Sequence, residues 1–208
     1  MRGARLFAAL VALGCGGCAL TNKSASNTFR YFTPEGAPSH ESPHASPAGP
    51  SLDLRLGKVD AASYIKDRIA YRASAYEVGF YDELRWTEKP ESYVRRALVR
   101  SLFDEHGLHQ IVSGAGFVLD VELEAFEELR APRHAALVRV TWVLHDAQRV
   151  VLQRTLTLEH PLTSGTAEAI AEALADALRD AIAATVTEVV RELTTHAAVA
   201  DAPGAAAP

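Results

Sequence analysis

Cys15 and Cys18 are the only thiols in this chain of 208 residues, and their surroundings define what chemistry they could do. Arg2 and Arg5 precede an apolar run, Leu6 to Leu13, and the small residues Gly14, Gly16 and Gly17 surround the two cysteines. Positive, apolar, small and then cysteine is the order of an export signal whose cleavage leaves a cysteine to carry lipid. The run is too short to span a bilayer as a helix. Cys18, which follows Gly16-Gly17 just ahead of the polar stretch Thr21-Asn22-Lys23-Ser24, is the expected lipidation site. Cys15, after Ala12-Leu13-Gly14, is the alternative, and an ordinary secretory signal with incidental cysteines is the remaining reading. With no cysteine after Cys18, an exported domain has no disulfide framework and must be held by a packed core.

Other residue types that could do chemistry do not assemble into a site. His40 and His44 are four apart, but they lie among prolines and serines that offer no rigid geometry. His106 and His109 flank Gly107, two ligands where zinc needs three or four. Asp120, Glu122 and Glu124 put carboxylates on one strand face, which period-two alternation already predicts for a solvated face. Ser164-Gly165-Thr166 lacks the strand-turn-helix context of a nucleophile elbow and reads as the approach to a helix N-terminus. No glycine-rich phosphate loop is present. The reading is therefore no catalytic residue, no metal site, no cofactor and no enzyme.

The unusual segment is Tyr71 to Trp86, which holds five aromatics together with Arg72 and Arg85. Tyr, Trp and Arg are the residue types enriched at interface anchors, so Tyr76, Phe80, Tyr81, Arg85 and Trp86 are candidate partner-binding residues. The alternative is that they pack a half-buried hairpin. Side chains alternate along a strand, so some must point inward and not all five can be contacts.

The elements that would position these residues follow from periodicity. Leu52, Leu54 and Leu56 alternate with Asp53 and Arg55. Arg68 to Trp86 reads as two strands, a hairpin broken near Ser74 or Gly79. Pro90 opens a helix that Gly107 closes, with Tyr93, Val94, Ala97, Leu98 and Leu102 as its apolar face. Three alternating runs follow: Phe117 to Glu124, Val138 to Leu144, and Leu152 to Leu158. Asp146 to Arg149 is the turn between the last two. Ala167 to Leu193 is a long helix with the stripe Ile170, Leu174, Leu178, Ile182, Val186, Val189 and Leu193. The expected fold class is α+β: an antiparallel β-sheet with two helices packed on one face, a two-layer sandwich.

Composition fixes the organisation. The expected divisions are residues 1–17 as signal peptide, 18–50 as lipidated N-terminus and flexible tether, 51–196 as the folded domain, and 197–208 as a disordered Ala- and Pro-rich tail. The 48% of hydrophobic residues suffices for one core. Removal of Met1 to Gly17 takes away two arginines and no acid, so the formal charge of −5 becomes −7. A mildly acidic domain without basic clusters is unsuited to binding nucleic acid or adsorbing to anionic lipid by charge. Attachment to a membrane must then come from acyl chains on the cysteine.

Tyr76-Glu77-Val78, Phe80-Tyr81, Arg85-Trp86 and Glu88-Lys89-Pro90, read in that order, resemble the ABC-type transport auxiliary lipoproteins, the PqiC-like family. Arg30-Tyr31-Phe32 and Leu119-Asp120-Val121-Glu122-Leu123 leading into Phe126-Glu127 are similar to that family as well, and the resemblance spans most of Arg30 to Leu193. It implies a non-enzymatic accessory of a lipid-transport system on the periplasmic face of the outer membrane. The implied partner is a mammalian-cell-entry (MCE) domain protein, in some systems with an ATP-binding cassette transporter, and copies of the chain are expected to form a homo-oligomeric ring. Ala19 follows Cys18 where aspartate commonly retains lipoproteins at the inner membrane, which favours the outer membrane. Two other classes stay open: a structural or assembly lipoprotein of the envelope, and a lipid-binding carrier with its own apolar pocket.

Overall fold

In order along the chain, a computed structural model of the protein contains β1 (Arg30–Phe32), β2 (Asp53–Ala61), β3 (Arg68–Ser74), β4 (Glu77–Trp86), α1 (Pro90–Val99), β5 (His109–Gln110), β6 (Phe117–Leu129), β7 (Ala135–His145), β8 (Val150–Pro161) and α2 (Ala167–Ala200). The structure describes residues 28–36 and 52–200. The fold class is α+β, as expected, with an open sheet of eight strands.

β6 is the axis of that sheet. One of its edges pairs antiparallel with β7 along nearly its whole length, and β7 pairs antiparallel with β8. The other edge is shared by two strands end to end. Residues 54–61 of β2 lie against 117–123, and residues 70–72 of β3 lie against 127–129, both parallel to β6. The sheet therefore forks: one branch continues from β2 to β5, the other from β3 through β4 to β1. The pairing is thus mixed, where an antiparallel sheet was expected. Period-two alternation reports which face a residue lies on, but carries no information about strand direction. The parallel pairing of β2 with β6 requires a crossover, and α1 lies in it.

Among the described residues no strand covers β6 at the fork, and side chains from the β2–β3 connection take over. The Tyr64 hydroxyl lies 3.0 Å from the carbonyl oxygen of Glu124 and 3.1 Å from Glu127 Oε2. Glu127 is fully buried, and Arg72 Nε donates to its Oε1 at 2.5 Å. A carboxylate removed from water needs donors of this kind, because losing its hydration costs several kcal/mol. Burial, reinforced by the adjacent Glu127, pushes the Tyr64 hydroxyl up to about 12.

The apolar face of the sheet carries Leu119, Val121, Leu123, Val138, Val140, Trp142 and Leu144, and α1 and α2 cover it. The α2 stripe from Ile170 to Leu193 is buried throughout, as its 3.6-residue spacing predicts. Thr166 caps this helix, accepting the amide of Ala169 at 3.3 Å. α1 begins at Pro90 and runs on as a π-helical segment over Arg100–Glu105, and Gly107 terminates it with a φ of 67°.

Two elements reach outside the segment 51–196 expected as the folded domain. β1 lies within the segment 18–50 expected as a tether and pairs in parallel with Leu84, Arg85 and Trp86 of β4. Three residues are too few to show alternation. The amide of Thr87 also donates to the Phe32 carbonyl at 2.9 Å, and Arg96 bridges Glu35 and Glu88. α2 continues to Ala200, past Ala197 where a tail was expected; alanine favours continuation of a helix. The remainder of the tail lies outside the described residues.

The fork generates two expectations. Arg72→Ala leaves Glu127 buried with one donor fewer and lowers the unfolding free energy by about 3 kcal/mol in urea titrations at neutral pH. Replacing Glu127 by leucine in the same chain recovers part of that loss; equal destabilisation in the single and double variants would contradict the assignment. The second expectation concerns alkali. Because the folded hydroxyl of Tyr64 titrates near 12 and the unfolded one near 10, its contribution is complete below pH 10 and lost as pH rises through about 12. Tyr64→Phe removes that component, so stability measured from pH 9 to 12 falls less steeply in the variant than in the parent.

Candidate interaction site

The aromatic segment forms the β3–β4 hairpin, with its turn at Ala75-Tyr76. The five candidates occupy three environments. Tyr76 stands at the tip, 99% exposed. Phe80 is half-buried on β4, with the Arg68 guanidinium 5.2 Å above its ring centre. Tyr81 and Arg85 are tied down within the hairpin, and Trp86 lies in the core.

Trp86 is only 2% exposed and stacks on Phe126 at 4.9 Å and edge-on to Tyr93 at 6.5 Å. The hydroxyl of Tyr93 in turn bonds Thr87 Oγ1 and accepts the amide of Glu88, fixing the passage from β4 into α1. Arg85 donates to the carbonyl oxygens of Tyr81 and Leu84, faces Asp67 at 3.6 Å, and lies 4.8 Å over the ring of Phe29. Neither side chain is free to reach a partner in this arrangement.

Tyr81 belongs to a cluster that periodicity did not reveal. Its hydroxyl donates to Glu128 Oε2 at 2.5 Å, and its ring meets Tyr71 edge-on at 5.3 Å. Arg130 lies 3.5 Å from the Tyr71 ring centre and also donates to Glu128, while His134 Nε2 is 2.6 Å from Glu128 Oε1. Burial would push the Glu128 carboxyl up, but the bonds from Tyr81, His134 and Arg130 outweigh it and hold the group below the usual carboxylate range. Burial and the bond to Glu128 push the Tyr81 hydroxyl the other way, upward. A carboxylate kept ionised and already engaged by three donors is suited to locking the base of the hairpin. Gly79 completes the lock: a Cβ there would come within 2.4 Å of the Tyr71 ring, so only glycine lets that ring lie across β4.

Sequence reasoning missed Glu127 and Glu128 because the alternation of β6 breaks. A bulge between Leu123 and Ala125 shifts the register, and the acidic pair then resembles a loop. The one available sign was Phe126-Glu127 within the family resemblance. The other ionisable residues considered from sequence are dispersed. Asp120 accepts the amide of Lys58 at 2.6 Å and faces His145 at 3.1 Å. Glu122 is exposed, and Glu124 accepts from Thr141. His106 contacts its own helix at the Ser101 carbonyl, and His109 pairs with Asp53. His40, His44, Cys15 and Cys18 lie outside the described residues.

Comparison with known proteins places these features in a family. The family model described as "ABC-type transport auxiliary lipoprotein component" matches residues 35–190, three-quarters of the chain. That description is of an accessory to a transporter and not of an enzyme, and it makes this a lipoprotein family. A solved Xanthomonas campestris protein of family DUF330 is similar at 24% identity and a TM-score of 0.65, covering 82% of this chain and 96% of its own. A second solved structure, of an uncharacterised protein, is similar at 15% identity and a TM-score of 0.61, covering 78% of this chain and 99% of its own. Both likenesses concern the fold. No curated protein matches the chain.

The division of the hairpin into core and tip is directly measurable. Trp86→Ala costs about 3–5 kcal/mol by the loss of a large buried ring. Tyr76→Ser changes stability by no more than about 0.5 kcal/mol. Equal shifts of the unfolding midpoint in the two variants would show the tip to be packed as well.

Proposed function

We propose a function from one premise: the chain belongs to the ABC-type transport auxiliary lipoprotein family. On this reading the protein is a non-enzymatic accessory of an MCE/ABC-type intermembrane lipid transport system. Acyl chains on Cys18 hold it to the periplasmic face of the outer membrane, and several chains together give stable attachment where one would not. The domain docks or steadies the end of the transport tunnel, and copies of the chain assemble as a ring around it.

The observation that carries the docking role is the contrast within one hairpin. Its base is locked by Glu128, Arg130 and the Tyr71–Tyr81 contact, yet its tip presents Tyr76 almost fully to solvent. A rigid element ending in an exposed aromatic loses little conformational freedom on binding, which favours affinity. Tyr76 and Phe80 are the contact residues in this proposal. Tyr81, Arg85 and Trp86 hold them in position.

Mild crosslinking of the lipidated protein in envelope fractions, followed by mass spectrometry of what it captures, tests the proposal. An MCE-domain protein is expected among the products, and Tyr76→Ser combined with Phe80→Ser is expected to abolish its capture without lowering the melting temperature. Capture of cell-wall or secretion components alone would overturn the transport reading. Undiminished MCE capture by the double variant would move the contact away from the hairpin.

A further inference from the structure

Because β1 belongs to the fold, the distance between the lipid and the domain is set by a much shorter piece of chain than composition suggests. From Cys18 to Thr28, where the described residues begin, there are ten residues; from Cys18 to Leu52 there are thirty-four. Fully extended, ten residues span at most about 35 Å and thirty-four about 120 Å. A domain of this size is itself about 40 Å across, from a radius of gyration of about 15 Å. The point of attachment is the β1 edge of the sheet, and the leash is no longer than the body it holds.

That edge has the character of a membrane-contacting surface. Phe29 is 48% exposed and Tyr31 63% exposed, and with Tyr76 they are the exposed large aromatics among the described residues. Arg85, opposite Tyr31 across the strand pair, lies over the Phe29 ring, while Arg30 points to the other face of β1 and pairs with Glu168. Arginine and aromatic side chains placed side by side suit the layer between headgroup and acyl chain, where a ring buries its apolar body and leaves its polar end wet. The local charges are paired, so the attraction does not depend on anionic lipid.

We infer that the β1 edge, through Phe29 and Tyr31, rests in the headgroup layer of the membrane that holds the lipid anchor and so fixes which end of the domain faces away from it. This rests on the lipid anchor at Cys18 proposed above. The β8 edge lies five strand spacings from β1 through β7, β6, β3 and β4, about 24 Å, and is turned away from the bilayer.

The native tryptophans are buried, Trp86 at 2% and Trp142 at 0% exposure, so an introduced surface tryptophan can report its own surroundings. Tyr31→Trp and, as a control on the far edge, Val150→Trp are made in the full lipidated protein. Each is reconstituted into phosphatidylethanolamine/phosphatidylglycerol vesicles with and without brominated acyl chains. The expected result is at least twofold stronger quenching by brominated lipid at position 31 than at position 150, with a blue shift at 31 only. Acylated protein with equal quenching at both positions overturns the membrane contact while leaving the anchor intact. If mass spectrometry of the mature protein shows no acyl chain on Cys18, the anchoring proposal fails and this inference fails with it.

Discussion

The fold depends on how one edge of one strand is divided between two neighbours. β6 accepts β2 along its first half and β3 along its last three residues, and at the junction its backbone faces no strand among the described residues. Polar groups left there without partners would each cost about 1–3 kcal/mol. The Tyr64 hydroxyl, the buried Glu127 carboxylate and the Arg72 guanidinium satisfy the junction. Tyr64 comes from the β2–β3 connection, Arg72 from β3 and Glu127 from β6, so all three pieces of chain must be in place before any of them is satisfied. That requirement fixes where β3 starts, and through it the position of the β3–β4 hairpin and everything that hangs from it. A hydrophobic junction of similar volume could be as stable, but it would not fix the register of three segments by charge and hydrogen-bond direction.

From the junction outward, successive contacts stiffen the hairpin. Adjacent residues of β6 point to opposite faces, so Glu127 serves the fork while Glu128 binds Tyr81, Arg130 and His134. Arg130 and the tyrosines then share ring faces, and Gly79 leaves room for one of those rings. The apolar counterpart is the stack of Trp86 with Phe126 and Tyr93, which joins β4 to β6 and α1. An arm held on both faces of the sheet transmits the position of its tip to the core. A flexible arm would have to be ordered each time it met a partner, at a cost of about 0.5–1.5 kcal/mol for each side chain immobilised.

Much of this was legible in the sequence, and the limits have physical causes. The alternating runs at Phe117, Val138 and Leu152 and the stripe of α2 were readable because a buried face imposes a strict period, and the helix at Pro90 because proline and glycine mark its ends. Strand direction was not readable, since alternation is the same in both directions. β1 was not, because three residues contain no period, and the sequence around it has the composition of a linker. Among the partner candidates, Tyr76 and Trp86 are chemically similar and ten residues apart, yet one is almost wholly exposed and the other buried. The difference comes from the turn at one end and the ring stack at the other, both matters of tertiary position. Glu127 and Glu128 were hidden by a bulge that breaks the very pattern used to find buried residues.

Strand direction also relates β1 to the arm. β1 runs parallel to β4, with Arg30 opposite Leu84. The N-terminal end of β1 therefore points toward the end of the sheet at which β4 begins, and that end is the hairpin turn. Seven residues of β4 separate Leu84 from Glu77, about 23 Å. β1 therefore lies against the end of β4 remote from the turn, although it runs in the same direction as β4. The parallel pairing of three residues, clamped by the Thr87 amide and by Arg96 through Glu35, thus fixes β1 at the base of the hairpin, where β4 passes into α1, and leaves the tip to project from the other end.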